Sequence, residues 1–157
     1  MIITALAEKE SQGVEYYLAL SETTSTRDTV TKTAKKQGYL EIKACKYLNN
    51  NTLIITWAKG HLVRLKEPEE YNEKWKDWSL ENLPIVPDNF EYVVDEKRKR
   101  QYEIVEKKLK IAQQIIWAGD IDREGSYISY LICKQAKVWN DERKTFKSLW
   151  IDEIGRA

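Results

Sequence analysis

The run Ile115-Ile116-Trp117-Ala118-Gly119-Asp120-Ile121-Asp122-Arg123-Glu124-Gly125-Ser126 decides the fold. Its first four residues form the strongest buried-strand signal in the chain, a short apolar stretch that stops at a polar turn. Tyr127, Ile128, Leu131 and Ile132 then recur at helical spacing, and Phe146 to Ile151 reads as a further short strand. Strand, turn, helix and strand in that order define a βαβ unit, so the chain is expected to be α/β with a mainly parallel central sheet flanked by helices. In such sheets ligands collect at the carboxyl edge of the strands, where the polar turn sits.

That turn carries the chemistry. In extended backbone, side chains two apart point the same way, so Asp120 and Asp122 can face one site, with Glu124 joining from the first helical turn. Carboxylates gathered this closely repel one another, and a divalent cation relieves the repulsion. Oxygen ligands without clustered His or Cys favour Mg²⁺, for which Mn²⁺ can substitute, over Zn²⁺. Gly125 allows close backbone approach, and the new helix N-terminus offers N–H groups to a phosphate. The same acids also suit a solvated loop with a helix cap. A calcium loop of the EF-hand type is disfavoured, because the ligand run is short and no bidentate Glu closes it.

Working outward, Ile2 to Leu6 is a second short apolar run, followed by Ala7-Glu8-Lys9. If this strand lies beside Ile115–Ala118, Glu8 and Lys9 reach the same sheet edge as the aspartates. A carboxylate there can act as general acid or base and a lysine can hold a phosphate oxygen; equally, both can simply solvate a strand end. Val14, Tyr17, Leu18 and Leu20 predict a helix capped by Ser11. Ser21 to Thr33 predicts a loop or weak helix. Tyr39–Leu48 and Thr52–Trp57 read as strands of a hairpin turned at Asn49-Asn50-Asn51. Leu83-Pro84-Ile85-Val86-Pro87 predicts an extended, packed connector pinned by Trp75 and Trp78. Phe90–Val94 is a strand candidate, and Gln101–Leu109 an amphipathic helix.

With 157 residues the chain is expected to be one domain, with residues about 58–88 an insertion within it. Its 26 Lys and Arg against 25 Asp and Glu leave a formal charge of +1, so any grip on nucleic acid must be local or shared with other domains. The start of the chain reads as neither signal peptide nor membrane span, which implies a cytoplasmic protein without membrane association. Cys45 and Cys133 have no neighbouring His and no Cys-x-x-Cys partner, and read as buried reduced thiols.

Taken together, Ala7-Glu8-Lys9 after a first strand and Asp120-x-Asp122-Arg123-Glu124-Gly125 after a later one resemble the Toprim pattern of topoisomerases, bacterial primases, some nucleases and recombination proteins. Ile55-Thr56-Trp57-Ala58-Lys59-Gly60-His61-Leu62, Trp78-Ser79-Leu80-Glu81-Asn82-Leu83-Pro84-Ile85-Val86-Pro87 and Lys147-Ser148-Leu149-Trp150-Ile151 are similar to segments of type IA DNA topoisomerases of the topoisomerase III kind. The resemblance implies a Toprim, Rossmann-like fold with an inserted β-hairpin and an extended connector. It implies Glu8 as the catalytic glutamate that protonates the leaving 3′ oxygen. Lys9 is implied as catalytic and DNA-binding beside the scissile phosphate, Asp120, Asp122 and Glu124 as Mg²⁺ ligands, and Arg123 as a DNA contact or a structural salt bridge. His61 is expected to be structural. The implied partners are single-stranded DNA and the remaining topoisomerase domains, with no nucleotide cofactor.

Two departures matter. Ser126 stands where the family usually has a fifth acidic-loop residue, Glu. The family's nucleophilic tyrosine belongs to a later domain, and nothing in this chain resembles it, so downstream domains are expected to be absent and this chain alone is not expected to relax DNA. A metal-dependent nuclease and a non-catalytic DNA-binding module remain the competing readings. Finally, Lys97-Arg98-Lys99-Arg100 is the densest basic run; it reads as a solvated helix start balanced by Glu96, Glu103 and Glu106, or as a phosphate-contacting edge.

Overall fold

The computed structural model describes residues 1–149. Among them, β1 (Ile2–Ala7), α1 (Glu10–Leu20), α2 (Arg27–Gln37), β2 (Tyr39–Cys45), β3 (Asn51–Trp57), β4 (Val63–Leu65) and α3 (Pro68–Tyr71) form the first half. Then come β5 (Tyr92–Val94), α4 (Lys99–Ile111), β6 (Gln114–Ala118), α5 (Arg123–Gln135) and β7 (Thr145–Ser148). The main sheet runs in the order β2-β3-β1-β6-β7, and β4 and β5 pair separately as a small antiparallel ribbon. All pairings in the main sheet are parallel except β2 with β3. This is the mainly parallel α/β sheet expected from the strand–helix alternation. The final part of the predicted last strand, at Trp150 and Ile151, lies outside the described residues.

Side chains of the central strands alternate between two cores, as strand geometry requires when both faces are covered. Ala7 and Trp57 pack with Val14, Val30, Ala34 and Leu40 beneath α1 and α2, and Ile3, Ala5, Leu53 and Ile55 extend that face. Leu6 and Ile115 face the other way, into a larger core with Tyr102, Val105 and Leu109 of α4 and Ile128, Leu131 and Ile132 of α5. The buried threonine hydroxyls of the sheet are satisfied: Thr4 donates to the Lys108 carbonyl at 3.0 Å and Thr56 to the Gly38 carbonyl at 3.0 Å. An unpaired hydroxyl there would carry the full desolvation penalty.

The hairpin turns where the asparagines predict, with Asn49 and Asn50 at positive φ of 52° and 56°. Its second strand, β3, lies beside β1 in the main sheet. Both cysteines are buried and free. Three local expectations need correcting. Lys9, not Ser11, stands at the N-cap of α1, and no side chain caps that helix. The Thr- and Ser-rich stretch contains a regular helix, α2, whose start is capped by Thr26 accepting from the Thr29 N–H. The proline connector is only partly packed: Trp75, Ile85 and Pro87 are half-buried, but Leu83 and Val86 are exposed and Trp78, at 80% exposure, does not pin it.

Register is what the fold contributes to function. Ala7 stands level with Trp57 on one side and with Ala118 on the other. The residues that follow each strand therefore emerge at one rim: Glu8-Lys9 after β1, Ala58 to His61 after β3, and Gly119-Asp120 after β6.

Candidate active site

Glu8 and Asp120, 112 positions apart in sequence, meet at this rim: the Asp120 N–H donates to Glu8 Oε2 at 3.3 Å. Lys9 Nζ lies between the two acids, 3.1 Å from Asp120 Oδ2 and 3.4 Å from Glu8 Oε1. Its hydrogen bond to Asp120, then the charge of Glu8, raise the Lys9 pKa above the usual ammonium value, so it stays cationic. Glu8 is mostly shielded, with 17% of its side chain exposed, whereas Lys9 projects into solvent. The rim thus holds a screened carboxylate, an exposed carboxylate and a mobile-length cation within contact.

Two further residues, which sequence reading did not single out, hold this arrangement. Gln12 bridges the strands: its Nε2 donates to Asp120 Oδ1 at 3.1 Å, and its Oε1 accepts from the Glu8 N–H at 2.9 Å. Tyr16, one helical turn on, donates its hydroxyl to the Ala118 carbonyl at 3.0 Å. Partial burial, then the charge of Asp120, raise the Tyr16 pKa, so the phenol remains a donor. The i, i+4 spacing of Gln12 and Tyr16 on a helix that starts at the rim was the available signal.

The rest of the acidic loop faces elsewhere. Asp122 is the N-cap of α5, its Oδ1 accepting from the Gly125 N–H at 2.6 Å. Glu124 reaches away to His61, with His61 Nε2 and Glu124 Oε1 3.3 Å apart. Arg123 lines an open groove with Trp117, Ile121, Tyr127 and Tyr130, and among the described residues no carboxylate pairs with it. The geometry therefore gathers Glu8, Lys9 and Asp120, sets Asp122 at the base of the loop, and leaves Glu124 and Arg123 on its outer side. Ser126 lines a small cleft with Gly119, Asp120, Gly125 and Ser148.

Among the described residues no three Asp, Glu, His or Cys side chains converge as a ready metal-binding group. The donor chemistry nonetheless suits a hard divalent ion: four carboxylates and no thiolate stand on or beside one rim. Gly125 lets the start of α5 approach the loop closely: a Cβ there would lie 2.6 Å from the Asp120 carbonyl oxygen and 3.1 Å from Glu8 Oε2.

A family model described as "Toprim domain" matches residues 20–154, and the chain belongs to that family. Its curated relatives include "DNA topoisomerase 3" of Staphylococcus epidermidis, 41% identical over 117 residues that make up 73% of this chain and 16% of that protein. "DNA topoisomerase 3" of Bacillus subtilis is 40% identical over 110 residues, 69% of this chain and 15% of that protein. The chain thus spans about a sixth of the length of these relatives. Toprim domains generally bind a divalent metal. No helix among the described residues is long and apolar enough to cross a membrane.

Proposed function

We propose that this chain is the catalytic Toprim part of a type IA DNA topoisomerase of the topoisomerase III kind, acting in the cytoplasm on single-stranded DNA. The observation that carries the reading is the contact between the Glu8 carboxylate and the Asp120 backbone across two adjacent strand ends. Glu8 serves as general acid to the leaving 3′ oxygen during cleavage and as base during resealing. Lys9 holds a non-bridging oxygen of the scissile phosphate, and Arg123 contacts the strand beyond it. Gln12 holds the Glu8 N–H and the Asp120 carboxylate while Tyr16 holds the Ala118 carbonyl, so the proton donor does not have to be ordered as the substrate arrives.

Asp120, Asp122 and Glu124 would hold Mg²⁺, or Mn²⁺ in its place. When bound, the ion supplies charge neutralisation that lets the acids and a phosphate share the rim. The nucleophilic tyrosine comes from the other domains of the enzyme, with which this chain works. No nucleotide cofactor enters the scheme, because breaking and resealing exchange one phosphodiester for one phosphotyrosyl link.

The test is a chimera in which this chain replaces the matching region of the Bacillus subtilis relative. With Mg²⁺ it should relax supercoiled DNA, and Glu8→Gln should lower the rate by about 10²-fold or more, the usual scale for losing a general acid. An equally active Glu8→Gln chimera would overturn the assignment. Incubated alone with Mg²⁺ and single-stranded DNA, the 157-residue chain should show no steady cleavage; turnover would instead favour a metal-dependent nuclease using activated water.

A further inference from the structure

The basic run at the start of α4 is largely exposed, as its sequence suggests, but only partly balanced by neighbouring acids. Glu106 is engaged by Lys110 at 2.8 Å, and Glu96 lies 3.5 Å from Lys99. Lys97, Arg98 and Arg100 instead line a pocket of about 170 Å³ that Lys35 of α2 and Lys59 of the β3–β4 loop complete. Five cations from three separate parts of the chain thus converge, and no carboxylate lines the pocket. Asp95 touches Arg98 from outside at 3.5 Å; among the described residues no carboxylate pairs with Lys35, Lys59, Lys97 or Arg100.

This arrangement opposes local stability. A helix N-terminus carries partial positive charge and favours acids, yet α4 begins Lys99-Arg100, has no acid in its first turn and lacks a side-chain cap. In a chain of net charge +1, concentrating cations there is a local conflict of the kind found at binding sites. The pocket is also braced. Gln101 Nε2 donates to the Gly38 and Trp57 carbonyls at 3.1 and 2.9 Å, tying α4 to the ends of α2 and β3. Arg98 Nη1 donates to the His61 carbonyl at 2.9 Å, and Arg100 Nη2 to the Lys36 carbonyl at 3.2 Å. Since the His61 ring meets Glu124, one residue links this pocket to the acidic rim.

Resting on the function proposed above, we infer that this pocket holds backbone phosphates of single-stranded DNA, in the stretch flanking the phosphate at Glu8 and Lys9. Its cations bind charge without reading bases, which suits a strand of any sequence.

The experiment follows binding of the 157-residue chain to a fluorescein-labelled oligothymidylate by anisotropy across a salt series, in EDTA so that no metal-dependent chemistry takes part. The triple variant K59Q/K97Q/R100Q should flatten the slope of log K against log salt by about 2, near 0.7 per lost phosphate contact, and weaken binding at low salt by on the order of a hundredfold. Its thermal midpoint should stay near that of the unaltered chain, because removing two cations from a helix N-terminus offsets the lost Arg100 hydrogen bond to the Lys36 carbonyl. A failure of the acid–base assignment shows in the relaxation assay of Glu8→Gln, whereas a failure of the pocket shows here. Amide shifts of Lys97, Arg98 and Gln101 on adding the oligonucleotide should exceed those from inorganic phosphate at equal phosphate concentration. An unchanged slope in the triple variant, no binding by the unaltered chain, or an equal response to free phosphate would each overturn the inference.

Discussion

Asp122 belongs to two systems at once. As the N-cap of α5 it accepts from the Gly125 N–H, and as a carboxylate it is proposed to share Mg²⁺ with Asp120 and Glu124. Alanine removes both roles together and should destabilise the fold by about 1 kcal/mol through the lost cap alone. Asparagine caps nearly as well but carries no charge, so Asp122→Asn should melt within a few tenths of a kcal/mol of the parent while losing Mn²⁺ affinity. Calorimetric titration with Mn²⁺, set beside thermal melts of both variants, separates the roles; full Mn²⁺ affinity in the asparagine variant would remove Asp122 from the proposed metal set. The same double use explains how far the site could be read from sequence. The acids at 120, 122 and 124 announce themselves by type and spacing, but rotamers do not. Asp122 satisfies an N–H that the helix would otherwise leave open, and Glu124 meets a histidine 63 residues earlier. Gln12 and Tyr16 were missed for a different reason: their i, i+4 spacing is ordinary on any helix until register brings β6 alongside β1.

At the level of elements, the strands of the buried sheet were legible because each is a short apolar run with few alternatives. α2 was not. Its sequence, Arg27-Asp28-Thr29-Val30-Thr31-Lys32-Thr33-Ala34-Lys35-Lys36-Gln37, is mostly polar and contains three threonines, which lose rotamer freedom in a helix. Tertiary contact decides the outcome: Val30 and Ala34, one turn apart, both enter the core beneath β3. The ends are well made to compensate, with Thr26 as N-cap, Asp28 in the first turn, Lys35 and Lys36 in the last, and Gly38 at φ 75° closing the helix. A helix with so little intrinsic propensity should depend on its cap, so Thr26→Ala should lower global stability by about 1 kcal/mol, at the centre of the range for such caps. Chemical denaturation reads this directly, and a midpoint unchanged from the parent would mean that core contacts alone hold α2. The connector failed in part as a sequence reading, for the opposite reason. Aromatic and apolar residues there suggested packing, yet Trp78 and Leu80 are exposed at 80% and 88%, so their hydrophobicity is not spent on this chain's own core.

For the molecule as a whole, the larger of the two cores contains ionisable groups that burial keeps neutral. Cys133, in α5 against the sheet, has its thiol pKa pushed up to about 12 from 9.0 by burial, opposed only by a contact with Trp117. Tyr102, in α4, is raised in the same direction by burial and then by Glu106. In the unfolded chain both ionise near their ordinary values, 9.0 and 10.0. Above pH 9 the unfolded state therefore binds fewer protons than the folded state, and stability must fall as pH rises. The stabilisation is complete below pH 9 and drains away as the pH climbs toward about 12 for Cys133. A single such group contributes a slope of about 1.4 kcal/mol per pH unit across its window, enough to matter for a domain of ordinary marginal stability. Urea melts at successive pH values should thus be level from 7 to about 8.5 and then decline, and Cys133→Ala should shallow the decline even though it starts from a lower stability. The slope is the readout, because the cavity left by the substitution offsets every point equally while only the lost proton changes the pH dependence. Parallel declines in parent and variant would place the alkaline sensitivity elsewhere than at the Cys133 thiol.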